Sequence, residues 1–587
     1  MEKLNRGLVA VRTSPNQVFL GWRLLGTDPS TVGFVLYRGN TRITPTPLTD
    51  RTNFIDNTTI NDIYRLDVVQ NDIEQSYSES ANVWQEPYLA IPLQIPQRGT
   101  TPDGVSYTYT ANDCSVADLD GDGEYDIILK WDPTNSRDNS QSGYTGNVYL
   151  DGYKLNGTHL WRIDLGRNIR AGAHYTQFMV YDFDGDGKAE IACKTADGTK
   201  DAANTIIGNP NADYRNSNGY ILDGPEYLTV FNGQTGEAMA TTNYLPPRGN
   251  VSAWGDSYGN RVDRFIAAVA YLDGQRPSFI TGRGYYTRLV RLAWDWRNGT
   301  LKHRWTFDSS SGVPDDSKFA GQGNHQMSVG DVDDDGKDEV CNGESTIDDN
   351  GQGLYATGVG HGDALHMTDI DPDRPGQEVW RCQEIPASYG QTALNFHDAK
   401  TGETLWGKPG HGDVGRAMAA DIDPHHKGLE VWGAVGGLYD CKGNQIAPNT
   451  PSMNFGIWWD GDLSRELLDG TRLDKWDYTK NISNRLISFY NYRNATDNNG
   501  SKRNPGISAD ILGDWREEVL LRTEDNTQLL LFTTTIPSDI RIYTLMHDPQ
   551  YRVAIAWQNS AYNQPPHPGF YLGTQMSKLP QPNIYVI

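Results

Sequence analysis

Three short stretches of this sequence place a carboxylate at every second position and a glycine where the backbone must turn, a pattern that builds the fold around bound cations. They read Asp118-Leu-Asp120-Gly-Asp122-Gly, Asp182-Phe-Asp184-Gly-Asp186-Gly and Asp331-Val-Asp333-Asp-Asp335-Gly. Each reaches a further acid eight positions after its first Asp, at Asp126, Glu190 and Glu339. Alternate carboxylates, a turning glycine and a late acid that closes the ring suit a hard cation with oxygen ligands, and calcium is the natural occupant. Glu124, Lys188 and Lys337, at the seventh positions, complete the three expected sets. Worn copies follow at Asp369, Asp371, Asp373 and Glu378, at Asp421, Asp423 and Glu430, and at Asp510, Asp514 and Glu518.

The segments after these loops are apolar and β-rich: Ile127-Ile-Leu, Ile191-Ala-Cys, Val340-Cys, Val379-Trp, Val431-Trp and Val519-Leu-Leu. The loops therefore connect strands, not the helices of a calcium hand. Their acids are structural, because a carboxylate committed to a cation is a poor proton acceptor.

A chain of 587 residues exceeds one ordinary domain, yet repeated β units can form one large body. Its 61 glycines, frequent Tyr and Trp, and regular turn dipeptides point to all-β structure. No apolar run approaches membrane-spanning length, and no basic-then-apolar secretion signal opens the sequence. A net charge of −24 argues against nucleic acid as a partner. The five cysteines, Cys114, Cys193, Cys341, Cys382 and Cys441, lie mostly on apolar strands and read as small core residues.

Residues 1–90 differ from the remainder. Leu8-Val-Ala-Val-Arg, Val18-Phe-Leu-Gly-Trp-Arg, Phe34-Val-Leu-Tyr-Arg and Tyr64-Arg-Leu-Asp-Val-Val alternate like strands without an acid loop, predicting a small β-sandwich of fibronectin type III kind. In residues 91–587, turn signatures recur between the acid loops at Tyr149-Leu-Asp151-Gly, Phe231 to Gly236, Trp294 to Gly299, Phe396 to Gly402 and Tyr439 to Gly443. The unit of loop, strand, turn and strand repeats at roughly 45 to 65 residues, the scale of a four-stranded propeller blade. Six loops plus degenerate units near Ala268 to Trp305 and Phe455 to Asp477 predict an eight-bladed β-propeller.

The segments upstream of the loops belong on innermost strands, and they carry Asn112, His174, His325, His361, His366 and Arg416. Each can be a satisfied structural residue; together they outline a site. A polar stretch, Asn494 to Pro505, adds Lys502 and Arg503 just before the last loop.

Asn112-Asp through Lys130-Trp-Asp-Pro-Thr-Asn-Ser, Met453-Asn-Phe-Gly-Ile-Trp-Trp-Asp-Gly-Asp462, Ile511-Leu-Gly-Asp-Trp-Arg-Glu-Glu-Val519 and Tyr551 to His567 resemble the rhamnogalacturonan lyases of polysaccharide lyase family 11. The resemblance implies a calcium-rich eight-bladed propeller that cleaves rhamnogalacturonan I, the pectic chain of alternating rhamnose and galacturonate, by β-elimination. It implies substrate contacts at Asn112, Asp132, Asn499, Gly500, Ser501 and Tyr562, charged groups at Arg416 and Lys502, and His325 and His361 nearby. Ser501 stands where the family pattern expects Thr, which keeps the hydroxyl. The family's setting implies a secreted, extracellular or periplasmic bacterial enzyme, and the chain is expected to act as a monomer.

The chemistry can be argued without the resemblance. Removing the C5 hydrogen of a galacturonate adds negative charge beside a carboxylate, so a cation must neutralise that group, whether calcium or Arg416. The base is Lys502, if its pKa is lowered by Arg503, Arg416 or metal, or a neutral His325 or His361. The product carries a C4=C5 double bond, and the absence of a long insertion between Gly433 and Pro451 favours internal cleavage. The competing expectations are a non-catalytic calcium propeller that binds glycans or cell surfaces and, from turns such as Thr401 to Trp406, a quinone-dependent dehydrogenase.

Overall fold

The computed structural model describes the whole chain except residues 389, 391, 585 and 587 and the side chains of residues 76–78. The protein is all β, and one α-helix, α1 (Pro549–Trp557), is present among the described residues.

Two four-stranded sheets form the N-terminal part. One orders Asn53–Asp56, Gln17–Gly21, Val9–Ser14 and Val83–Trp84; the other orders Thr41–Arg42, Gly33–Arg38, Tyr64–Gln70 and Ile73–Ala81. Alternate residues of these strands turn inward, so Trp22, Phe34, Leu36, Tyr64 and Leu66 are fully buried in one cluster. The Trp22 and Phe34 rings meet edge to face at 5.6 Å.

Among the described residues a two-stranded ribbon, Gly99–Thr100 with Ser106–Tyr107, and eight larger sheets follow. Seven are four-stranded and begin at Tyr109, Phe178, Phe265, Ser328, Gly362, Ala417 and Phe455. The eighth combines Ala495–Thr496, Ile507–Ala509, Glu518–Thr523 and Gln528–Phe532 with Tyr88–Pro92 from far upstream, Leu530 standing opposite Ala90. Sheet membership thus changes between Trp84 and Tyr88, a few residues ahead of the division expected after residue 90. The first strands of the seven sheets touch in succession, and Ile507–Ala509 returns to touch Tyr109–Ala117.

Five of the six acid loops join the first and second strands of their sheets; the sixth joins Ile507–Ala509, which takes the place of a first strand in the eighth sheet, to Glu518–Thr523. The closing acid always stands across from the last residue of the first strand: Ala117 faces Asp126, Tyr181 Glu190, Gly330 Glu339, Thr368 Glu378, Ala420 Glu430 and Ala509 Glu518. Four of the five turn signatures fall between strands as expected. Tyr149-Leu-Asp151-Gly does not: Tyr149–Tyr153 is itself a strand, and the chain turns at Gly157, whose amide donates to Lys154 O at 2.9 Å.

Helix α1 lies among the first strands beginning at Tyr109, Phe178, Phe265, Ser328 and Ile507. Asp548 caps it by accepting the Tyr551 amide at 2.8 Å, and Pro549 opens its first turn. Its Arg552 is buried in a 2.6 Å ion pair with Glu2. The N-terminal sheets dock on this end of the chain, with Asn53 donating to Ser538 O at 2.7 Å and the Gly26 amide to His547 at 3.0 Å. All five cysteines are buried and free.

Candidate active site

Two innermost strands carry bulges, and each bulge aims a carboxylate into the site. In Tyr109–Ala117 the pairing jumps from Ala111 opposite Trp131 to Cys114 opposite Leu129, which leaves Asn112 and Asp113 out of register. In Gly362–Thr368 it jumps from Gly362 opposite Gln383 to Leu365 opposite Arg381, releasing Asp363. Bulges redirect side chains in this way.

Asp113 is the hub of one wall: Lys130 Nζ lies at 2.5 Å, Asn499 Nδ2 at 2.9 Å and Asn563 Nδ2 at 3.0 Å. Asn112 Nδ2 donates to Asn499 Oδ1 at 3.1 Å. Asn499 and Arg503 hold left-handed backbone at φ 61° and 54°, bracketing the tight turn Gly500–Lys502 on which Gly500 and Ser501 are exposed. Asp132 stands across from Thr110; its buried Oδ1 has no protein partner, and burial pushes its pKa up.

Lys502 leaves this turn toward the second wall. Its Nζ lies 3.7 Å above the Tyr562 ring and 3.9 Å from Asp363 Oδ2, and its carbonyl accepts from Arg416 Nη2 at 3.2 Å. Burial lowers the Lys502 pKa; Asp363 opposes the shift and Arg416 adds to it. Arg503, expected to help, turns away to Asp497 at 3.2 Å and Asp469 at 3.9 Å. Burial raises Asp363 to about 6 and keeps the Tyr562 phenol protonated by raising its pKa.

His325 stacks under Tyr562, with centroids 4.1 Å apart. Its Nδ1 lies 3.1 Å from Tyr285 Oη, and its Nε2 3.1 Å from Tyr286 Oη and 3.2 Å from Asp363. His361 faces Glu384 through Nε2 at 2.7 Å and Gly323 O through Nδ1. His174 joins through the same Tyr285 hydroxyl at 3.2 Å. Burial depresses the pKa of His174 and His325, so both are neutral. His366 does not join: it bonds His567 at 3.0 Å and Ala417 O at 2.9 Å. Asp113, Lys130, Asn563, Asp363, Glu384, Tyr285 and Tyr286 escaped the sequence reading. Of these, Asp113, Lys130 and Asn563 carried a signal, as members of the strings that begin at Asn112 and at Tyr551.

His325, His361, Asp363 and Glu384 each offer one ligand atom within 4.8 Å of the others, a set able to hold a divalent ion. The acid loops offer another chemistry, oxygen alone. Asp118, Asp120 and Asp122 gather, as do Asp182, Asp184 and Glu190, and Asp331, Asp333 and Glu339. In all six loops a buried carboxylate oxygen lacks a hydrogen-bond partner: Asp120, Asp184, Glu339, Asp369 with Glu378, Asp421 with Glu430, and Asp510; of these, Glu378 lies 3.4 Å from Arg374. Buried orphan oxygens of this kind call for a cation or a proton. Burial raises Asp126 to about 7, Glu378 to about 8, and Glu190 and Glu339 to about 9. The Asp186, Asp335 and Asp122 carboxylates accept the next-but-one backbone amide at 2.9 Å. Lys188 reaches Gln234 and Lys337 pairs with Asp335, so at these positions only a backbone carbonyl can serve as ligand. In the worn copies Lys442 and Lys427 reach Asp371 and Asp373 at 2.5 Å, His425 reaches Asp423 at 2.9 Å and Arg516 pairs with Asp514 at 2.7 Å. The seventh sheet has a further copy in which Lys475 Nζ sits 2.9 Å from Asp460, 2.9 Å from Asp462 and 2.6 Å from Glu466. There an ammonium sits among carboxylates whose counterparts in the other loops could hold a cation.

Residues 88–582 match the C-terminal domain of rhamnogalacturonan lyase family 11, and residues 1–84 the β-sheet domain of rhamnogalacturonan I lyases. The chain belongs to this family. It is 58% identical over 588 residues to the rhamnogalacturonan endolyase YesW of Bacillus subtilis (strain 168), covering 100% of this chain and 93% of that protein. It is 56% identical over 605 residues to the rhamnogalacturonan exolyase YesX of the same organism, with 100% and 97% covered. The solved structure of a Bacillus licheniformis rhamnogalacturonan lyase is similar at 59% identity and a TM-score of 0.97, covering 100% of this chain and 99% of that one. Family members are lyases, and the non-catalytic and quinone-dependent readings fall away.

Proposed function

We propose that this protein cleaves the rhamnose–galacturonate bond of rhamnogalacturonan I by β-elimination, with Lys502 as the base. The observation that carries this reading is Lys502 itself: a partly buried ammonium of lowered pKa, poised 3.7 Å over Tyr562, with its nearest carboxylate at 3.9 Å. Of the rival histidines, His325 has both ring nitrogens engaged by two tyrosines and Asp363, whereas His361 is held by Gly323 O through Nδ1 and only lies against Glu384, at 2.7 Å, through Nε2.

Arg416 holds the carboxylate of the reacting galacturonate and stabilises the negative charge that develops as C5 loses its proton. Neutral Lys502 takes that proton, the C5–H electrons become the C4=C5 double bond, and the C4–O4 bond breaks. The departing oxygen takes a proton from the Tyr562 phenol. Asn112, Asp132, Asn499, Gly500 and Ser501 orient the sugars. A divalent ion on His325, His361, Asp363 and Glu384 would supply further positive charge near the uronate.

The closed succession of eight sheets supports an eight-bladed propeller, with residues 1–84 as a fibronectin type III-like sandwich and Tyr88–Pro92 closing the last blade. The orphan oxygens of the acid loops support several structural calcium ions. A blade ring closed by its own chain supports a monomer, and a polymeric pectic substrate supports action outside the cytoplasm. Endo action is favoured by length: the exolyase aligns over 605 positions, 18 more than the 587 of this chain, whereas the endolyase aligns over 588. Incubation with rhamnogalacturonan I should yield mid-sized products absorbing in the ultraviolet from the first minutes. Absence of absorbing products would overturn the reaction; disaccharides alone from the outset would overturn endo action.

A further inference from the structure

A second cation stands beside this site, and no carboxylate of the described residues pairs with it. The Asp256 carboxylate accepts the backbone amides of Tyr258, Gly259, Asn260 and Arg261 at 3.1, 2.8, 3.2 and 2.7 Å, which fixes the backbone at Arg261. The Arg261 guanidinium carbon lies 3.8 Å from the centre of the Tyr286 ring. Tyr286 belongs to the active-site wall, with its hydroxyl 3.1 Å from His325 and its ring centre 4.1 Å from that of His361. Nearby arginines are paired: Arg264 with Asp138 at 3.3 Å, Arg288 with Asp308 at 2.5 Å and Arg248 with Glu226 at 3.1 Å. Arg261 is half-buried, yet no carboxylate of the described residues reaches its guanidinium.

A guanidinium centred over an aromatic ring has N–H donors to spare for a planar, bidentate carboxylate. Resting on the lyase reading above, the substrate brings such a group on every second sugar. Arg416 serves the galacturonate that reacts, and the next acidic sugar of the chain needs a partner of its own. We propose that Arg261 binds the carboxylate of a second galacturonate, one disaccharide repeat away from the bond that breaks, and so sets the preference for longer chains.

The test compares the parent enzyme with Arg261→Gln and Arg261→Lys on saturated rhamnogalacturonan I oligosaccharides of increasing length, by calorimetric binding and by initial rates. For long oligosaccharides Arg261→Gln should weaken binding and raise KM roughly 10- to 100-fold, as loss of a charge-assisted hydrogen bond does, with kcat little changed. The shortest oligosaccharides that bind should show no difference, and Arg261→Lys should recover part of the loss. Added salt should weaken long-chain binding more in the parent than in Arg261→Gln. Equal loss at all lengths, unchanged long-chain binding, or a fall in kcat at constant KM would overturn the assignment. An unchanged melting temperature guards against misfolding, and if Arg261→Gln fails to fold, the length dependence of Arg261→Lys decides. Should the parent bind but yield no unsaturated product, the reaction fails while the binding comparison still judges Arg261.

Discussion

Stripping the cations is expected to destabilise this protein much more at pH 8 than at pH 6. Burial pushes the closing acids Glu190 and Glu339 to about 9 and Glu378 to about 8 when no ion is bound. All three are at most 4% exposed, so solvent screens them little. In the unfolded chain a glutamate titrates near ~4.3. Between pH 6 and 8 the ion-free fold therefore keeps protons that the unfolded chain has released, and its stability falls as pH rises. Each such group contributes about 1.4 kcal/mol per pH unit, so three acids over two units give an upper figure of about 8 kcal/mol. Water entering the emptied loops lowers that to about half. With calcium bound the carboxylates are ionised in both states and the slope disappears. The assay is thermal melting of protein stripped of divalent ions, verified by elemental analysis, and of the same protein reloaded with calcium, at both pH values. The gap between the two melts should be several degrees wider at pH 8. Equal gaps at the two pH values would refute the argument that buried acids in these loops are held ionised by metal.

Three further outcomes are expected. Lys475→Met removes the ammonium shared by Asp460, Asp462 and the fully buried Glu466, so it should lower stability by about 2–4 kcal/mol in chelator, below the full cost of breaking a buried pair because Lys475 is 22% exposed; elemental analysis in calcium should find one more ion per chain than in the parent. Lys502→Ala should lower kcat on rhamnogalacturonan I by about 10²- to 10⁴-fold with melting unchanged, and the parent's kcat/KM should climb with pH through the lowered lysine pKa, because only the neutral amine accepts the C5 proton; near-parent rates in the variant would return the role of base to His325. Asp113→Ala leaves Lys130 buried without its partner at 2.5 Å and unties Asn499, so both a melting loss of about 3–5 kcal/mol and a raised KM are expected; a change in one without the other would separate the hub's structural and binding roles.

The acid loops were legible because alternate carboxylates and a closing acid are written within nine or ten consecutive residues, and each lies between two strands of one sheet. Helix α1 was not read, although Asp548-Pro549 is a cap followed by a first-turn proline, because nine residues buried on nearly every side show no amphipathic period. The turn expected at Tyr149 failed for a related reason: Asp-Gly marks turns only where no neighbouring strand claims it, and Leu129 pairs with Asp151. The candidate site was legible in two ways: His325, His361, Arg416 and Lys502 by their place just upstream of acid loops, and Asn112, Asp132 and Tyr562 within strings that resemble the family. Arg503 misled because adjacency in sequence was taken for adjacency of charge, whereas the left-handed backbone at Arg503 turns its side chain to Asp497 and Asp469.

What no local reading could supply is the convergence itself. Asn112 and Asn499 meet although 387 positions separate them, and Asn563 reaches Asp113 across 450. These distances are closed by the succession of sheets and by Tyr88–Pro92 pairing with Gln528–Phe532, so the site exists only when the last sheet is completed. The bulges that release Asp113 and Asp363 lie on first strands whose far ends run into acid loops. A cation that fixes a loop therefore also fixes the register of the strand that carries the bulge. Metal bound at one end of such a strand would be coupled, through the strand's hydrogen bonds, to the carboxylate aimed from the other, so chelation is expected to loosen the site even when the chain stays folded.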